Sequence, residues 1–297
     1  MIDSSQARAT PRIAIAGATG RVGAALVAAL MEDPVDVVAL TRNPDSDRLA
    51  ANVSRAVVDF DRPSTLSDAL RGADRLFLAQ GTSERQVQNE IALIDAAVSL
   101  GISHIVKLSA MGPATRLHPF DWHMQVEAYL AEFDVGYTIL RPSTFMDTLA
   151  RAAGPVTSDN WGGAAGKGRV NLIDTRDVAA AARMALLNDQ WVRSQRAYHL
   201  TGPGSVSMQD VAACLSRLLG RTVAYRHRTP VEQRNVLISA GTSPPVAELL
   251  LGLDLMFEQS VLAETTNTFT DLCGRSPRSV EDWLLDNIAV FASRSGS

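Results

Sequence analysis

The sequence predicts an α/β fold: a doubly wound parallel sheet followed by a smaller, mainly helical C-terminal region. Three observations predict it. Short apolar runs alternate with helical patterns through the first half of the chain. A glycine-spaced turn, Gly17-Ala18-Thr19-Gly20-Arg21-Val22-Gly23, joins the first run to the first helix. After Arg141-Pro142 the alternation gives way to a glycine-rich stretch and then to helices. Strand–helix–strand repetition demands crossovers, which set the strands parallel and put helices on both faces.

The elements follow in order. Ile13-Ala14-Ile15-Ala16 is the first strand, and Val35–Leu40, Ala56–Val58, Leu76–Ala79, Ile105–Leu108 and Tyr137–Leu140 are its successors. The runs are mostly apolar without alternation, the signature of strands covered on both faces. Helices are expected at 21–32, 64–71, 84–100 and 121–133. In the third, Val87, Ile91, Ile94 and Val98 form one apolar stripe facing the sheet, and Gly101 stops it. Residues 154–168 hold five glycines, Pro155, Asn160 and Trp161, and read as a long loop, a lid or pocket wall. A helix at 177–188 and a strand near Tyr198–Leu200 come next, then helices at 207–219, 230–240, 244–257 and 279–292. Residues 1–10 and Ser293–Ser297 read as frayed, disordered ends. By role, 11–150 is the nucleotide-binding part, with pieces of 170–202 returning to it, and 151–297 is mainly substrate-binding.

Composition narrows the function. The 297 residues carry 28 basic and 32 acidic side chains, 46% hydrophobic and 20% charged residues. That supports a sizeable core and excludes global disorder. No basic stripe argues for nucleic acid, and no apolar run reaches the roughly 18 residues that cross a bilayer. Met1–Thr10 is polar, so no secretory signal is expected and the chain is read as cytoplasmic. Cys214 and Cys273 are too few for a disulfide framework. His118 and His123 are spaced unsuitably for a metal pair, and no metal is expected.

The glycine turn carries the first chemistry. Its G-x-x-G-x-x-G spacing lets the backbone bend sharply and brings a pyrophosphate to the helix N-terminus, where unpaired N–H groups and the helix dipole meet it. Gly17, Thr19, Gly20, Arg21, Val22 and Gly23 are the residues of that contact. The second strand ends in Thr41-Arg42-Asn43-Pro44. Where an NAD-binding protein usually places an acid, Arg42 offers a guanidinium to a 2′-phosphate, which favours NADPH. Asp59 is placed to accept from the adenine amino group and Phe60 to cover the ring. Asp61 reads as a cap before Pro63. Ala79, Gln80 and Gly81 end the fourth strand beside the cofactor ribose, where glycine permits close approach.

These residues resemble the NmrA-like group of atypical short-chain dehydrogenases, with the type-2 quinone reductases. The resemblance rests on the glycine turn, on Thr41-Arg42-Asn43-Pro44 and on Val106-Lys107-Leu108-Ser109-Ala110. It continues through Tyr137-Thr138-Ile139-Leu140-Arg141-Pro142-Ser143-Thr144-Phe145-Met146, Thr175-Arg176-Asp177-Val178-Ala179 and Leu200-Thr201-Gly202-Pro203. It implies a Rossmann domain, NADP(H) binding and a smaller substrate region. Relatives of that kind include reductases of quinones, ketones and phenylpropanoids, and also redox-sensing regulators that bind the nucleotide without turning it over.

Short-chain dehydrogenases commonly use a serine with Tyr-x-x-x-Lys on the next helix. Ser109 fits the serine position. Taking Glu127 as the glutamate that often follows the lysine, His123 stands at the lysine position and Pro119 at the tyrosine position. No Tyr-x-x-x-Lys occurs in the chain. Two readings stay open. One is an NADPH-dependent reductase of a quinone or ketone on an apolar aromatic, possibly polycyclic, small molecule, with His123 bonding the nicotinamide ribose or donating a proton. The other is a non-enzymatic NADP(H) sensor acting through a protein partner. Lys107 either sits near the cofactor phosphates or snorkels. Asp177 reads as a helix N-terminal cap. Phe145, Met146 and Trp161 are candidate substrate-pocket residues; Trp161 covers a flat substrate or anchors the loop in the core.

Overall fold

A computed structural model describes residues 10–112 and 119–292. His118 and the expected frayed ends, apart from Thr10, lie outside the described residues. By packing, the chain forms two compact units. The first holds the described residues up to Leu108, Gln125–Leu140 and Ala179–Ala197; the second holds those of Ser109–Met124, Arg141–Val178 and the chain from Tyr198 onward.

In chain order the first half contains β1 (Arg12–Ala16), α1 (Arg21–Leu30), β2 (Asp36–Thr41), β3 (Ser54–Val57), α2 (Ser64–Leu70), β4 (Arg75–Leu78), α3 (Gln86–Ser99), β5 (His104–Leu108), α4 (Phe120–Leu130) and β6 (Gly136–Pro142). There follow β7 (Thr144–Phe145), a 3-10 segment (Met146–Ala152), α5 (Ala153–Thr157), β8 (Gly162–Gly163), β9 (Arg169–Ile173), α6 (Thr175–Leu187) and β10 (Gln195–Leu200). The chain then runs through β11 (Ser205–Ser207), α7 (Met208–Leu219), β12 (Arg226–His227), α8 (Pro230–Ser239), α9 (Pro244–Glu258), α10 (Thr268–Cys273), α11 (Val280–Asp286) and α12 (Ile288–Ala292). No helix among the described residues is long and apolar enough to cross a membrane.

The main sheet has seven strands in the order β3-β2-β1-β4-β5-β6-β10. From β3 to β6 every neighbour pair is parallel. The doubly wound parallel fold expected from the sequence is the fold observed. The order reverses at β1, which has β2 on one side and β4 on the other, so the switch point of the sheet lies at the C-terminal end of β1. Apolar runs fill the centre: Ile13, Ala14 and Ile15 in β1 and Leu76, Phe77 and Leu78 in β4 are fully buried. The edge strand β3 departs from the expectation of two covered faces. Ser54 and Val57 are exposed, because nothing pairs beyond it in the sheet.

The stripe on α3 is also shifted. Gln86, Glu90, Leu93, Ile94 and Ala97 are the buried face, while Val87, Ile91 and Val98 are half-buried. Two polar residues open that face, and their reason lies in β5.

In the second unit the expected long loop at 154–168 is interrupted by two short elements. It contains α5 and β8, and Ala164 and Ala165 are buried. The strand β9, unread in the sequence, pairs with β7 and β11 in a small sheet. Asp177 does not cap α6. Its buried carboxylate accepts from Arg275 Nη2 at 2.8 Å, from Arg278 N–H at 2.6 Å and from Arg278 Nη1. Asp174 takes the capping position, accepting the Arg176 N–H at 2.8 Å. The helix expected at 279–292 breaks at Asn287 into α11 and α12. Ser207–Asp210, Thr229–Glu232 and Ser279–Asp282 are reciprocal capping boxes that start α7, α8 and α11.

Candidate active site

The phosphate turn is built from backbone that no side chain could replace. Gly17 has φ +76°, and a Cβ there would lie 2.7 Å from the Ala79 carbonyl at the end of β4. A Cβ on Gly23 would lie 2.1 Å from the Gly17 carbonyl, so only glycine lets α1 start directly over the turn. The Gly20 N–H donates back to the Gly17 carbonyl at 2.9 Å. Gly20 is the N-cap residue and supplies no side-chain cap. The first turn of α1 therefore starts without a side-chain cap and sets the positive end of its dipole above a turn kept open by its glycines. That arrangement fits a pyrophosphate. Thr19 is half-buried and Arg21 exposed, whereas the Val22 side chain is buried in the core, leaving only its backbone for a ligand.

Arg42 follows β2 on a pinned turn. Thr41 Oγ1 accepts the Asn43 N–H at 3.0 Å, and Asn43 Oδ1 accepts the Asp45 N–H at 3.0 Å. Arg55 holds the next segment, donating to the carbonyls of Pro44, Leu49 and Ala50. Arg42 itself is exposed, and among the described residues nothing pairs with its guanidinium. An exposed cation on a fixed turn is ready for an anion.

At the next strand end, Asp59 accepts from Arg62 Nε at 2.7 Å and from the Asp61 N–H at 3.0 Å. These bonds, Arg62 foremost, hold its carboxyl below the usual carboxylate value. Phe60 is half-buried against the core of the first unit. Asp61 does not cap α2; it pairs with Arg85 at 2.6 Å, and Pro63 occupies the N-cap. Ala79 is 9% exposed, Gln80 half-buried and Gly81 exposed, with open space where its Cβ would stand.

Lys107 corrects both of its expected roles. Its side chain has no exposed surface and its ammonium lies 2.8 Å from Glu90 Oε2, also without exposed surface. It also donates to the Leu108 carbonyl. The charge is thus committed inside the first unit, neither in water nor offered to phosphates. Glu90 in turn accepts from Gln86 Nε2 at 3.3 Å, which explains the polar start of the buried face of α3.

In the second unit Ser109, just past β5, is 4% exposed. His123 is half-buried on α4, and its N–H donates to the Pro119 carbonyl at 3.1 Å. Phe145 is half-buried in β7. Met146 is fully buried among Leu149, Val170 and Leu172, a packing residue and not a pocket wall. Trp161, 7% exposed, meets the Tyr225 ring edge-on at 5.2 Å. It also borders a cavity of about 210 Å³ with Val156, Val223 and Arg226. Two polar groups packed against the neighbouring Gly163, Tyr225 and Asp254, are not singled out in the sequence. The doubled Gly162-Gly163 was the available signal.

The NmrA-like family profile matches residues 9–270. The chain belongs to the NmrA-like family. Membership agrees with the resemblance carried by the glycine turn and the strand ends. One relative is the (4-alkanoyl-5-oxo-2,5-dihydrofuran-3-yl)methyl phosphate reductase of Streptomyces griseus, 32% identical over 285 residues that make up 94% of this chain and 99% of that protein. A second is the NAD(P)H azoreductase of Xenophilus azovorans, 29% identical over 286 residues, 95% and 99% of the two chains. Among solved structures, an NADPH-dependent quinone oxidoreductase from Escherichia coli superposes with a TM-score of 0.83 at 26% identity, over 93% of this chain and 99% of that one.

Proposed function

We propose that this NmrA-like protein is an NADPH-dependent oxidoreductase that reduces a quinone or ketone group on an apolar aromatic, polycyclic small molecule. The observation that carries the reading is the uncapped start of α1 over Gly17–Gly23, which fits the pyrophosphate of a dinucleotide. Arg42 supports NADPH over NADH. Of the three similar proteins described above, two are reductases by name, of a dihydrofuranyl methyl phosphate and of azo compounds, and the third is an NADPH-dependent quinone oxidoreductase.

When bound, NADPH supplies hydride. The chain's own residues hold and orient. The glycine turn fixes the phosphates and Arg42 the 2′-phosphate. Ser109 donates to the acceptor's carbonyl oxygen, and Phe145 gives an apolar surface. Without Tyr-x-x-x-Lys, the proton comes from His123 or from water. A quinone tolerates the latter because the charge left after hydride arrival is delocalised, so positioning and dehydration supply most of the acceleration.

One observation favours the second reading, a nucleotide-sensing regulator with a protein partner: Pro119 stands where the ordinary acid would be. NADPH oxidation against a panel of quinones and aryl ketones separates the two. Turnover with at least one quinone is the expected result. Silence across the panel with intact NADPH affinity would establish the sensor, and no NADPH binding at all would end both readings. His123→Ala then assigns the proton: measurable turnover points to water, and its loss with NADPH affinity intact makes His123 the acid.

A further inference from the structure

Two polar groups of the second unit converge on one backbone position. Gly163 is buried, and a Cβ there would lie 2.5 Å from Tyr225 Oη and 2.8 Å from Asp254 Oδ2. The glycine is what admits a phenol and a carboxylate to the same stretch of backbone. Each is fastened by one of the next two N–H groups. Ala164 donates to Asp254 Oδ2 at 2.8 Å, and Ala165 donates to Tyr225 Oη at 3.3 Å. Arg228 steadies the segment before them, donating to the Gly162 carbonyl at 2.9 Å, the Asn160 carbonyl at 2.7 Å and Gln233 Oε1 at 3.1 Å.

These bonds leave one donor and one acceptor over. Tyr225 accepts from Ala165, while its own O–H has no acceptor among the described residues. Asp254 spends Oδ2 on Ala164. Among the described residues no hydrogen bond reaches Oδ1 and no ion pair claims the carboxylate; Arg228 acts on it only through space. Oδ1 is not among the sealed, unpaired atoms of the interior, so it keeps some exposed surface. Burial first, then the Asp254 charge, pushes the Tyr225 phenol well up, so it keeps its proton and stands as a donor. Burial also raises the Asp254 carboxyl. Half-buried polar groups with open valences gain most from a ligand that satisfies both.

We propose that Tyr225 and Asp254 form a donor–acceptor subsite that selects aromatic carbonyl substrates carrying an O–H or N–H beside the carbonyl. Tyr225 O–H donates to the carbonyl oxygen, and Asp254 Oδ1 accepts the neighbouring hydrogen. This rests on the reductase reading and names the substrate class within it. An acceptor without the adjacent donor leaves the carboxylate unpaired in a partly dehydrated place, which is how a polar site rejects an analogue.

The test compares 2-amino-1,4-naphthoquinone with 2-methyl-1,4-naphthoquinone in the full chain, in wild type, Asp254→Asn and Tyr225→Phe. Asp254→Asn is the gentler change, since the amide oxygen can still accept from Ala164. Steady-state reduction by NADPH gives the amino-to-methyl ratio of kcat/KM, in which the intrinsic reactivity of each quinone cancels between proteins. Calorimetric titration of each quinone into the NADP+-saturated protein gives the same ratio without turnover. The expected result is a fall of about tenfold or more in both ratios for Asp254→Asn, and for Tyr225→Phe a similar loss of binding and of kcat/KM on both quinones, since both carry the carbonyl. Equal losses on the two quinones in Asp254→Asn would make the carboxylate a loop anchor and overturn the proposal, as would unmoved ratios in that variant or unchanged binding in Tyr225→Phe. Should wild type bind NADPH yet neither reduce nor bind either quinone, both this subsite and its use in reduction fail. Reduction of the methyl compound with no preference for the amino one fails the subsite alone.

Discussion

Lys107 Nζ lies 2.8 Å from Glu90 Oε2, and neither side chain has exposed surface. The pair ties β5, immediately before Ser109, to the buried face of α3. Burial raises the Glu90 carboxyl even against the lysine charge, so desolvation outweighs attraction on that side. A buried pair of this kind gives little net stability, yet removing one member is costly because the other is left charged and dehydrated. Lys107→Met should therefore lower unfolding free energy by about 3–5 kcal/mol in urea titration. The double variant Glu90→Leu/Lys107→Met should recover most of that loss. A double variant no more stable than Lys107→Met would refute the coupling.

The glycines of the phosphate turn and Gly81 separate fold from ligand. Gly23→Ala forces a Cβ to 2.1 Å from the Gly17 carbonyl. The turn must open, so a lowered Tm together with loss of NADPH affinity is expected. At Gly81 a Cβ meets nothing within 4 Å. Gly81→Ala should leave unfolding free energy within about 0.5 kcal/mol of wild type, while weakening NADPH several-fold if the ribose lies against it. Unchanged affinity in Gly81→Ala would remove Gly81 from the cofactor contact.

Arg42 is the residue proposed to choose between the two nucleotides. Its turn is fixed by Thr41, Asn43 and Arg55, so truncation removes a charge without moving the backbone. A charge-assisted hydrogen bond contributes about 1.5–3 kcal/mol, so Arg42→Ala should weaken NADPH by roughly ten- to a hundredfold. NADH, with no 2′-phosphate, should bind within about twofold of wild type by the same reasoning. Calorimetry with both nucleotides decides it, and equal weakening of the two would exclude a 2′-phosphate contact.

The alternation of apolar runs and helices was enough to read the main sheet, because central strands buried on both faces leave a continuous apolar mark. The spacing of the glycines was enough to read the turn between β1 and α1, because only glycine tolerates those contacts. What escaped depended on long-range partners. Lys107 looked like a surface or phosphate-facing lysine because Glu90 lies 17 positions earlier, on a helix face whose apolar members suggested a different stripe. Asp177 looked like a cap because the arginines that claim it, Arg275 and Arg278, are about a hundred residues away in sequence. Met146 and Phe145 are adjacent, yet one is core and the other half-buried, a distinction set by the start of the 3-10 segment. Tyr225 and Asp254 reach one stretch of backbone only because Gly163 lacks a side chain; the doubled Gly162-Gly163 marks the place in the sequence but not the two distant side chains that come to it.

His104 gives the fold a dependence on pH. It is fully buried at the start of β5, with Nε2 3.0 Å from Thr138 Oγ1. Arg75, tied to Asp189 and to the Leu186 carbonyl, lies near it. Burial first, then the Arg75 charge, lowers the imidazole from 6.5 to about 4. The folded chain thus refuses a proton that the unfolded chain accepts. Stability from this site is complete above about pH 6.5 and drains as pH falls toward about 4, where the folded form also protonates. The whole effect is about 3 kcal/mol. His104→Gln cannot take the proton and still reaches Thr138. Its urea-unfolding free energy should therefore change less than that of wild type between pH 7 and pH 4, by about 3 kcal/mol. Parallel decline of the two proteins across that window would show that His104 does not set it.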